Sequence, residues 1–331
     1  NVTVGGADES TFFQTTAIST GSLVAGTNVL AVEIHQAAAG SSDISFDLEL
    51  LGVDTVAPKV SKVIVGSSTA DNSLHPDCDF SAGSPCAVGS GEQLRTIPVA
   101  AADEIKIQFS EKVALASWDL APRGSTSTDA GAGKLYDIGA FSYDNATNTA
   151  SWHIDNDKNS GTTPYIRDQL VVRLLDEVRD VGGNRLDGEW TNPTTLTQGA
   201  TSDTFPSGNG TAGGTFDFFV TLLPGDVDRN NVVNHADLSA LTDNYGQSSG
   251  ATFTDGDMTG DGAVGLADLQ RLQQNYTIDY TSWPTGAVMM MGGGEPPDPQ
   301  EAFREAVLDY LATDHKLSEQ AVDEILSLIE K

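Results

Sequence analysis

Oxygen-bearing side chains recur at alternate positions in two short acidic segments, GDVDRNNVVNHADL at residues 225–238 and GDMTGDGAVGLADL at 256–269. Carboxylates and amide carbonyls are hard ligands that suit a hard divalent cation, and calcium accepts the irregular geometry such a segment offers. Counted from the first aspartate, ligands at positions 1, 3, 5, 7, 9 and 12 would surround one ion, with position 7 acting through its backbone carbonyl. The segments therefore predict two calcium sites.

The two segments are copies of one sequence. Position 226 corresponds to position 257, and this offset (257 − 226 = 31) continues from LTDNY at 241–245 to LQQNY at 272–276. We call residues 226–237 loop 1 and residues 257–268 loop 2. A single acidic turn is common, but an acidic pattern that is duplicated in one register strongly favours a metal site.

The register of each loop is fixed by its twelfth position. A start at Asp255 would place Leu266 there, and a start at Asp228 would place Ser239 there. The predicted ligands of loop 1 are Asp226, Asp228, Asn230, the Val232 carbonyl, Asn234 and Asp237. Those of loop 2 are Asp257, Thr259, Asp261, the Ala263 carbonyl, Gly265 and Asp268.

Two positions shape our expectations of these loops. Position 6 must turn sharply, which Gly262 allows and Asn231 tolerates. At position 3, Asp228 carries a charge whereas Thr259 does not. We therefore expect loop 2 to hold its ion less tightly than loop 1.

Each loop is followed by a leucine and a helical pattern, and no apolar helix precedes either loop. These tandem loop–helix repeats, with aspartate at position 12, resemble the EF-hand-like repeats of a type I dockerin over residues 225–277 of a module predicted to span 225–281. The resemblance implies two calcium ions and attachment of a secreted polysaccharide-degrading enzyme to a cohesin-like protein module. At positions 10 and 11, where the family often has Ser-Thr, this chain has His235–Ala236 and Leu266–Ala267.

The composition favours a mainly β protein with more than one domain. A chain of 331 residues suggests two or three domains, and short alternating stretches separated by Gly, Asn and Pro dominate until the last third. The 47 acidic and 17 basic residues give a net charge of −30, which repels nucleic acids and anionic membranes. We expect no nucleic-acid partner and no transmembrane segment, since the apolar stretch AVMMM at 287–291 is too short to span a bilayer.

Residues 1–53 end in two strand patterns. In GTNVLAVEIHQ, Leu30, Val32 and Ile34 alternate with other residues, and SSDISFDLELLG continues the alternation at positions 44–50. The order of these phrases resembles the closing strands of a galactose-binding-like jelly roll from secreted bacterial hydrolases. These few strands cannot close a sandwich core by themselves. We therefore expect the earlier strands to lie upstream of this sequence.

A second unit is expected at residues 57–223. Strand patterns occur in EIKIQFSEKV, DQLVVRLL and GGTFDFFVTLL, and FSYDNATNTASWHI predicts a hairpin that turns at 145–148. The phrases IKIQFSEKV and LLDEVRDVGGNRLDG resemble a bacterial immunoglobulin-like domain, which implies a β-sandwich acting as a spacer or binding module. Asp180, Asn184 and Asp187 could hold a cation there, but we favour an Asx-rich turn.

Cys78 and Cys86 lie close together in CDFSAGSPC, within a Gly/Ser/Pro-rich loop. Their spacing predicts a disulfide, with two unpaired thiols as the alternative. A disulfide indicates an oxidising compartment, so we expect a secreted or cell-surface protein. The sequence has neither an initial Met nor a signal peptide, and we expect it to be the C-terminal part of a longer bacterial protein.

A linker and a helical tail are expected after the module. Residues 282–299 are rich in Gly and Pro, and Asp298 with Pro299 predicts a helix start for a tail at 300–331. The apolar faces of its two helices are Phe303, Val307, Tyr310 and Leu311 and then, from Ser318 onwards, Val322, Ile325, Leu326 and Ile329. We expect these helices to pack on each other, with a partner surface as the alternative.

The sequence singles out no catalytic set. Its five histidines, at positions 35, 75, 153, 235 and 315, are scattered, and no HExxH motif occurs. We therefore expect the non-catalytic, calcium-binding anchoring or binding end of a protein associated with hydrolysis of O-glycosyl compounds, with carbohydrate as a further partner. The first alternative is a surface adhesin or structural protein without enzymatic activity. A weaker alternative is a glycoside hydrolase that uses an acid pair of its own.

Overall fold

The structure is a computed structural model of the 331-residue chain. It describes residues 29, 54–70, 72–88, 92–124, 135–155, 166–196, 202–283, 303–304, 306–308, 310 and 319–329. The chain divides into two units, Asn1–Gly52 and Val53–Lys331. The strands predicted within residues 1–53, the linker from residue 284, Leu311 and Ser318 lie outside the described residues.

The described part of the second unit is mainly β, with antiparallel ladders and few helices, which confirms the predicted class. Five strands form one sheet in the order β2-β1-β3-β7-β6, three form another in the order β10-β8-β5, and β4 pairs with β9. The strands are Val60–Gly66 (β1), Cys78–Asp79 (β2), Glu104–Phe109 (β3), Val113–Ala114 (β4), Leu120–Gly124 (β5), Asp137–Asp144 (β6), Thr149–Asp155 (β7), Asp168–Leu174 (β8), Arg179–Asp180 (β9) and Phe216–Leu222 (β10).

Period-two alternation explains which faces the strands bury. In β3, Ile105 and Ile107 are buried while the residues between them are half-buried, and Phe216 and Phe218 of β10 are buried in the same alternating manner. Both rows belong to one core, so the five-stranded and three-stranded sheets pack face to face. We call residues 54–222 the sandwich. Its β6–β7 pair is the hairpin that the sequence predicts.

A long connection, residues 67–103, joins β1 to β3 and includes β2; we call it the β1–β3 segment. Within it, Cys78 and Cys86 form a disulfide, which confirms the sequence prediction. Farther along, Ile97 donates its N–H to the carbonyl of Thr221 in β10 (3.0 Å). The segment is therefore tied to both sheets of the sandwich.

Two short helices follow the sandwich, α1 at His235–Asp243 and α2 at Leu266–Asn275. Each begins at the tenth position of its loop, so the helices repeat with the loops. Their buried leucines belong to a second core, distinct from that of the sandwich, and these are Leu238, Leu241, Leu269 and Leu272.

The C-terminal tail completes this second core. Residues 303, 304, 306–308 and 310 are helical, and α3 spans Glu319–Ile329. Phe303, Val307 and Ile325 are buried with the leucines of the module, and the Phe303 ring meets Tyr276 edge-on with centroids 5.4 Å apart. The sequence did not indicate this partner, because an amphipathic face shows what is buried but not against what. No helix in the described residues is long and apolar enough to cross a bilayer.

Candidate metal centre

Three carboxylates of loop 1 converge. Carboxylate oxygens of Asp226, Asp228 and Asp237 all lie within 4.8 Å of one another. Asp226 and Asp237 are fully buried, whereas Asp228 is exposed. Like charges at this spacing repel unless protons or a cation neutralise them, and an all-oxygen set of this kind suits a hard dication.

Backbone amides fold loop 1 around these carboxylates. Asp226 accepts hydrogen bonds from the N–H groups of Asn230 (3.0 Å) and Asn231 (2.8 Å). Asp237 accepts from Val227 N–H (2.8 Å) on one oxygen and from Asn234 N–H (2.9 Å) on the other. The first and twelfth residues thus close the loop from both ends.

Loop 2 repeats these hydrogen bonds 31 residues later. Asp257 accepts from Gly262 N–H (2.6 Å), and Asp268 accepts from Met258 N–H (3.0 Å) and Gly265 N–H (2.9 Å). The side chain at position 5 accepts from the N–H at position 7 in both loops, at 2.8 Å in loop 1 and 2.9 Å in loop 2. The duplication in sequence therefore extends to the geometry of the loops.

Positions 4 and 6 of both loops have left-handed backbone. The φ angles are 60° at Arg229, 69° at Asn231, 77° at Gly260 and 81° at Gly262. The sharp turn expected at position 6 is thus present in both copies, and asparagine is one of the few side chains that tolerate it. In loop 1, the carboxylates of positions 1 and 3 converge on one side of these turns.

The carbonyl at position 7 of loop 1 faces the side of the loop on which the predicted ligand Asn230 lies. An antiparallel bridge pairs Val232 with Asp279 through the peptide groups on either side of Val232. Because peptide groups alternate in direction along extended backbone, both the N–H and the carbonyl of Val232 point away from Asp279. The Val232 N–H donates to Asn230 Oδ1 (2.8 Å), which identifies that side as the interior of the loop.

Position 9 serves the helices as well as the loops. The Asn234 side chain is the N-cap of α1 and accepts from Ala236 N–H (2.8 Å), while Gly265 occupies the same place before α2. A ligand role at this position would therefore act through a water molecule, as is common in loops of this spacing.

Loop 2 holds its carboxylates less closely than loop 1. Within the described residues, the groups of three acids that converge to 4.8 Å include loop 1 but not Asp257, Asp261 and Asp268. Asp257 and Asp268 are buried, whereas Asp261 is exposed. At position 3, the Thr259 hydroxyl donates to Asp257 (3.1 Å) and brings no further charge.

Burial raises the pKa values of the acids that converge. The pKa of Asp226 is raised to about 7 and that of Asp237 to about 6, chiefly by removal from water and also by the nearby carboxylates of Asp237 and Asp228, respectively. Hydrogen bonds from backbone N–H groups act in the opposite direction but are outweighed. Burial likewise raises the pKa of Asp268 in loop 2. A bound cation would stabilise the ionised form of acids held in this way.

Sequence reasoning missed one residue at loop 2. His75, in the β1–β3 segment, places its Nε2 atom 2.9 Å from Asp257 Oδ2, and both side chains are fully buried. The two residues are 182 positions apart. No local pattern marked His75, because the histidines are scattered and contact over such a separation depends on tertiary packing.

A second acidic group lies in the sandwich. Oxygens of Asp54, Glu111 and Asp180 lie within 4.8 Å of one another. Asp180 accepts from the backbone N–H and the side-chain amide of Asn184 (2.8 and 2.7 Å), which confirms the Asx-rich turn. Asp187 bonds instead to backbone amides of a different loop, so the three residues considered from sequence do not gather.

Comparison with protein-family models, with curated protein sequences and with solved structures finds no match to this chain. The observations that bear on function are therefore those of the site itself. They are its oxygen-bearing side chains, its duplicated loop geometry and its buried acids.

Proposed function

We propose that residues 225–281 are a calcium-binding module of the type I dockerin kind, with one ion in each loop. The observation that carries the proposal is the duplicated hydrogen bonding, which gives both loops one geometry 31 residues apart. The ion of loop 1 would be held by Asp226, Asp228, Asn230, the Val232 carbonyl, Asp237 and, through water, Asn234. That of loop 2 would be held by Asp257, Thr259, Asp261, the Ala263 carbonyl and Asp268.

Calcium suits these loops better than magnesium. The ligands come from alternate residues of an irregular loop and differ between the two copies, which calcium tolerates and the stricter octahedral geometry of magnesium does not. Binding would replace the repulsion between Asp226 and Asp237 by attraction to the ion. At free calcium about a thousand times the dissociation constant, each site adds roughly 4 kcal/mol to folding, which is comparable with the whole stability of a small domain.

The wider role we propose is attachment. The chain would be the non-catalytic anchoring end of a secreted bacterial polysaccharide-degrading protein, in which the dockerin-like module joins a cohesin-like partner. The sandwich would act as an immunoglobulin-like spacer. The Cys78–Cys86 disulfide supports an oxidising, extracellular setting, and the antiparallel two-sheet architecture supports the spacer role.

Titration calorimetry of the full chain with calcium tests the ion sites. We expect two sites, one of which is lost in the Asp226→Asn, Asp237→Asn chain and the other in the Asp257→Asn, Asp268→Asn chain. Asp54→Asn is the matched control, because it removes an acid from the sandwich group and should leave both sites intact. No binding by the unsubstituted chain at about 1 mM calcium, or undiminished binding by the loop variants, would refute the assignment.

Attachment is tested separately with purified cohesin modules. We expect the full chain to bind a cohesin in calcium and to release it in chelator, and we expect the loop variants not to bind. Calcium binding without any cohesin binding would retain the ion sites and contradict the attachment role. The complete reading frame of the gene then separates an enzyme-associated parent, with an upstream glycoside hydrolase, from an adhesin.

Carbohydrate is a second partner that one surface favours. An open groove on the outer face of the five-stranded sheet is lined mainly by polar side chains, namely Lys62, Ile64, Gln108, Ser142, Asp144, Thr147, Thr149 and Ser151. Hydroxyl and amide groups of this kind can exchange hydrogen bonds with the hydroxyls of a sugar. Retardation of the chain in gels that contain soluble polysaccharide, abolished by Ser142→Arg, would support this role, and equal mobility in all gels would exclude it.

A further inference from the structure

Loop 1 is fixed to the β1–β3 segment at positions 4 and 6. Asn231 is fully buried; its Oδ1 accepts from Thr96 N–H (2.8 Å) and its Nδ2 donates to the Leu94 carbonyl (2.8 Å). Arg229 donates through Nε to the Thr96 carbonyl (2.9 Å) and forms an ion pair with Glu92. Neither Asn231 nor Arg229 is a ligand in the sites proposed above. Both side chains instead bind the sandwich.

Loop 2 meets the same segment through different contacts. His75 Nε2 lies 2.9 Å from Asp257 Oδ2, and neither side chain is exposed to water. A Cβ atom on Gly260 would lie 2.7 Å from the Cβ of Ala70, and a Cβ atom on Gly262 would lie 3.1 Å from Leu74 Cδ1. The left-handed glycines at positions 4 and 6 of loop 2 thus allow a backbone approach that a side chain would prevent.

The same positions of both loops therefore face the segment, although the chemistry of each contact differs. Positions 4 and 6 dock in both copies, through side-chain hydrogen bonds in loop 1 and through close packing in loop 2. The position 1 carboxylate is also contacted in both, since the Thr96 side chain lies beside Asp226 and the His75 imidazole hydrogen-bonds Asp257. Each predicted first ligand thus has a partner in the sandwich.

We propose that the β1–β3 segment is the docking partner of both loops and holds them in the conformation that takes the ions, with Asn231 and His75 as positioning residues. This inference rests on the proposed calcium function and adds control of each site by the sandwich. An ion site forms only when the carboxylates turn inward, and a segment that fixes positions 1, 4 and 6 reduces the ordering cost of that step. By linkage, the ions strengthen the docking by the same factor.

The duplicated sequence supplies the test for loop 1. Asn231→Gly places at position 6 the residue that loop 2 already has there, so it keeps the left-handed turn and all predicted ligands while removing the bonds to Leu94 and Thr96. In calorimetry of the full chain, we expect the calcium affinity of the first site to fall about tenfold. The affinity of the second site should stay unchanged and serves as the internal control.

His75 provides an independent test at loop 2. His75→Ala should weaken the second site and leave the first unchanged, whereas His75→Gln, which keeps an N–H donor on a side chain of similar reach, should recover most of the affinity. Rescue by glutamine separates positioning through this hydrogen bond from a general loss of packing. A rise in affinity in His75→Ala would mean that the imidazole competes with the ion, and it would overturn the positioning role.

Hydrogen exchange of the full chain gives a readout of docking itself. The Thr96 N–H should be protected in calcium and exchange faster in chelator and in Asn231→Gly, while the Ile107 N–H within β3 should not change. Equal calcium affinities in all of these chains, or equal Thr96 exchange with and without calcium, would overturn the inference alone. No calcium binding by the unsubstituted chain would overturn the proposed function, and this inference with it.

Discussion

Asp226 and Asp237 make loop 1 sensitive to pH. Burial raises their pKa values to about 7 and about 6, whereas an aspartate in an unfolded chain titrates near ~4. A carboxyl group with a higher pKa in the folded state binds more protons there. The stability that it contributes is therefore complete below the unfolded pKa and is lost as the pH rises through the folded pKa.

We predict that the ion-free module unfolds at a lower temperature at pH 8 than at pH 5. Calcium should reverse this order, because the ion replaces the protons at neutral pH and is displaced by them in acid. Scanning calorimetry of the full chain at both pH values, with chelator and with calcium, measures the effect. The Asp226→Asn, Asp237→Asn chain should lose most of the pH dependence, and an unsubstituted ion-free chain with none would contradict the raised pKa values.

Position 3 holds a charged ligand candidate in loop 1, Asp228, and an uncharged one in loop 2, Thr259. Thr259→Asp would add a carboxylate to loop 2, and we predict about tenfold tighter binding at the second site, because affinity in such loops rises with ligand charge. Thr259→Asn is the matched control, since it replaces the hydroxyl ligand by an amide carbonyl without adding a charge, and its affinity should rise less. The reciprocal change, Asp228→Thr, should weaken the first site. Calorimetry resolves the two sites, and an unchanged second site in Thr259→Asp would exclude position 3 from the ligand set.

At this scale, the sequence predicts the acidic positions and the sharp turns of the loops but not what these residues dock against. The alternation of acids and the tolerance of Asn231 for a left-handed turn are local properties, and local spacing was enough to locate them. The contact of His75 with Asp257, by contrast, spans 182 residues and becomes visible only after the chain has folded. Asn231 was thus expected as a turn residue but not as a buried link to the sandwich.

Among the elements, strands with a clear alternation were predictable and irregular edge strands were not. β3 and β10 form within the predicted strand patterns EIKIQFSEKV and GGTFDFFVTLL and bury alternate residues. β5 contains Pro122 and Gly124, both of which disfavour strands, and no strand was expected there. It forms at the edge of the three-stranded sheet, where a proline without an N–H costs little, and pairing with β8 supplies the remaining hydrogen bonds.

The Cys78–Cys86 disulfide belongs to the same β1–β3 segment that contacts both loops. It closes a short ring, and on the chain-entropy account such a ring stabilises the fold by about 2–3 kcal/mol. We predict that the free energy of unfolding of the Cys78→Ala, Cys86→Ala chain is lower by that amount, as measured by its unfolding in denaturant. Intact mass without reductant should show two hydrogens fewer than the free-thiol form. Two titratable thiols in the native chain would contradict the bond.

The tail offers a matched pair of apolar residues on one helical stretch. Phe303 is fully buried in the module core, whereas Leu308 is 45% exposed. We predict that Phe303→Ala weakens tail docking by about 3–5 kcal/mol, because it removes a buried ring and leaves a cavity, and that Leu308→Ala has little effect. Limited proteolysis measures the difference as faster release of the tail. Equal release in both variants would contradict docking through Phe303.

In the molecule as a whole, the sandwich also contacts the module, and the residues just after it, beyond the loops. Phe219 of β10 stacks on Trp283 with ring centroids 4.6 Å apart, and Gln169 of β8 donates to the Tyr280 carbonyl (3.1 Å). Arg167 donates to Asn275 at the end of α2 (3.1 Å). These contacts reinforce docking of the loops, so the module has a fixed neighbour where the sequence suggested only a boundary between domains.

The net charge of −30 acts on both proposed ion sites at once. A field of this sign concentrates cations around the molecule, and salt screens it as the Debye length falls from about 30 Å at 0.01 M to about 8 Å at 0.15 M. We predict that the calcium affinity of both sites falls about tenfold or more over this range, as measured by calorimetry in potassium chloride. Sucrose at equal osmolarity should have no such effect, because it leaves the field unscreened.

A single substitution provides the control. Glu177 is an exposed acid in the turn between β8 and β9. Glu177→Gln should change the calcium affinity less than salt does, because one charge is a small part of the total. Affinities that do not change with salt would mean that the loop ligands alone, and not the charge of the whole molecule, determine how tightly the ions are held.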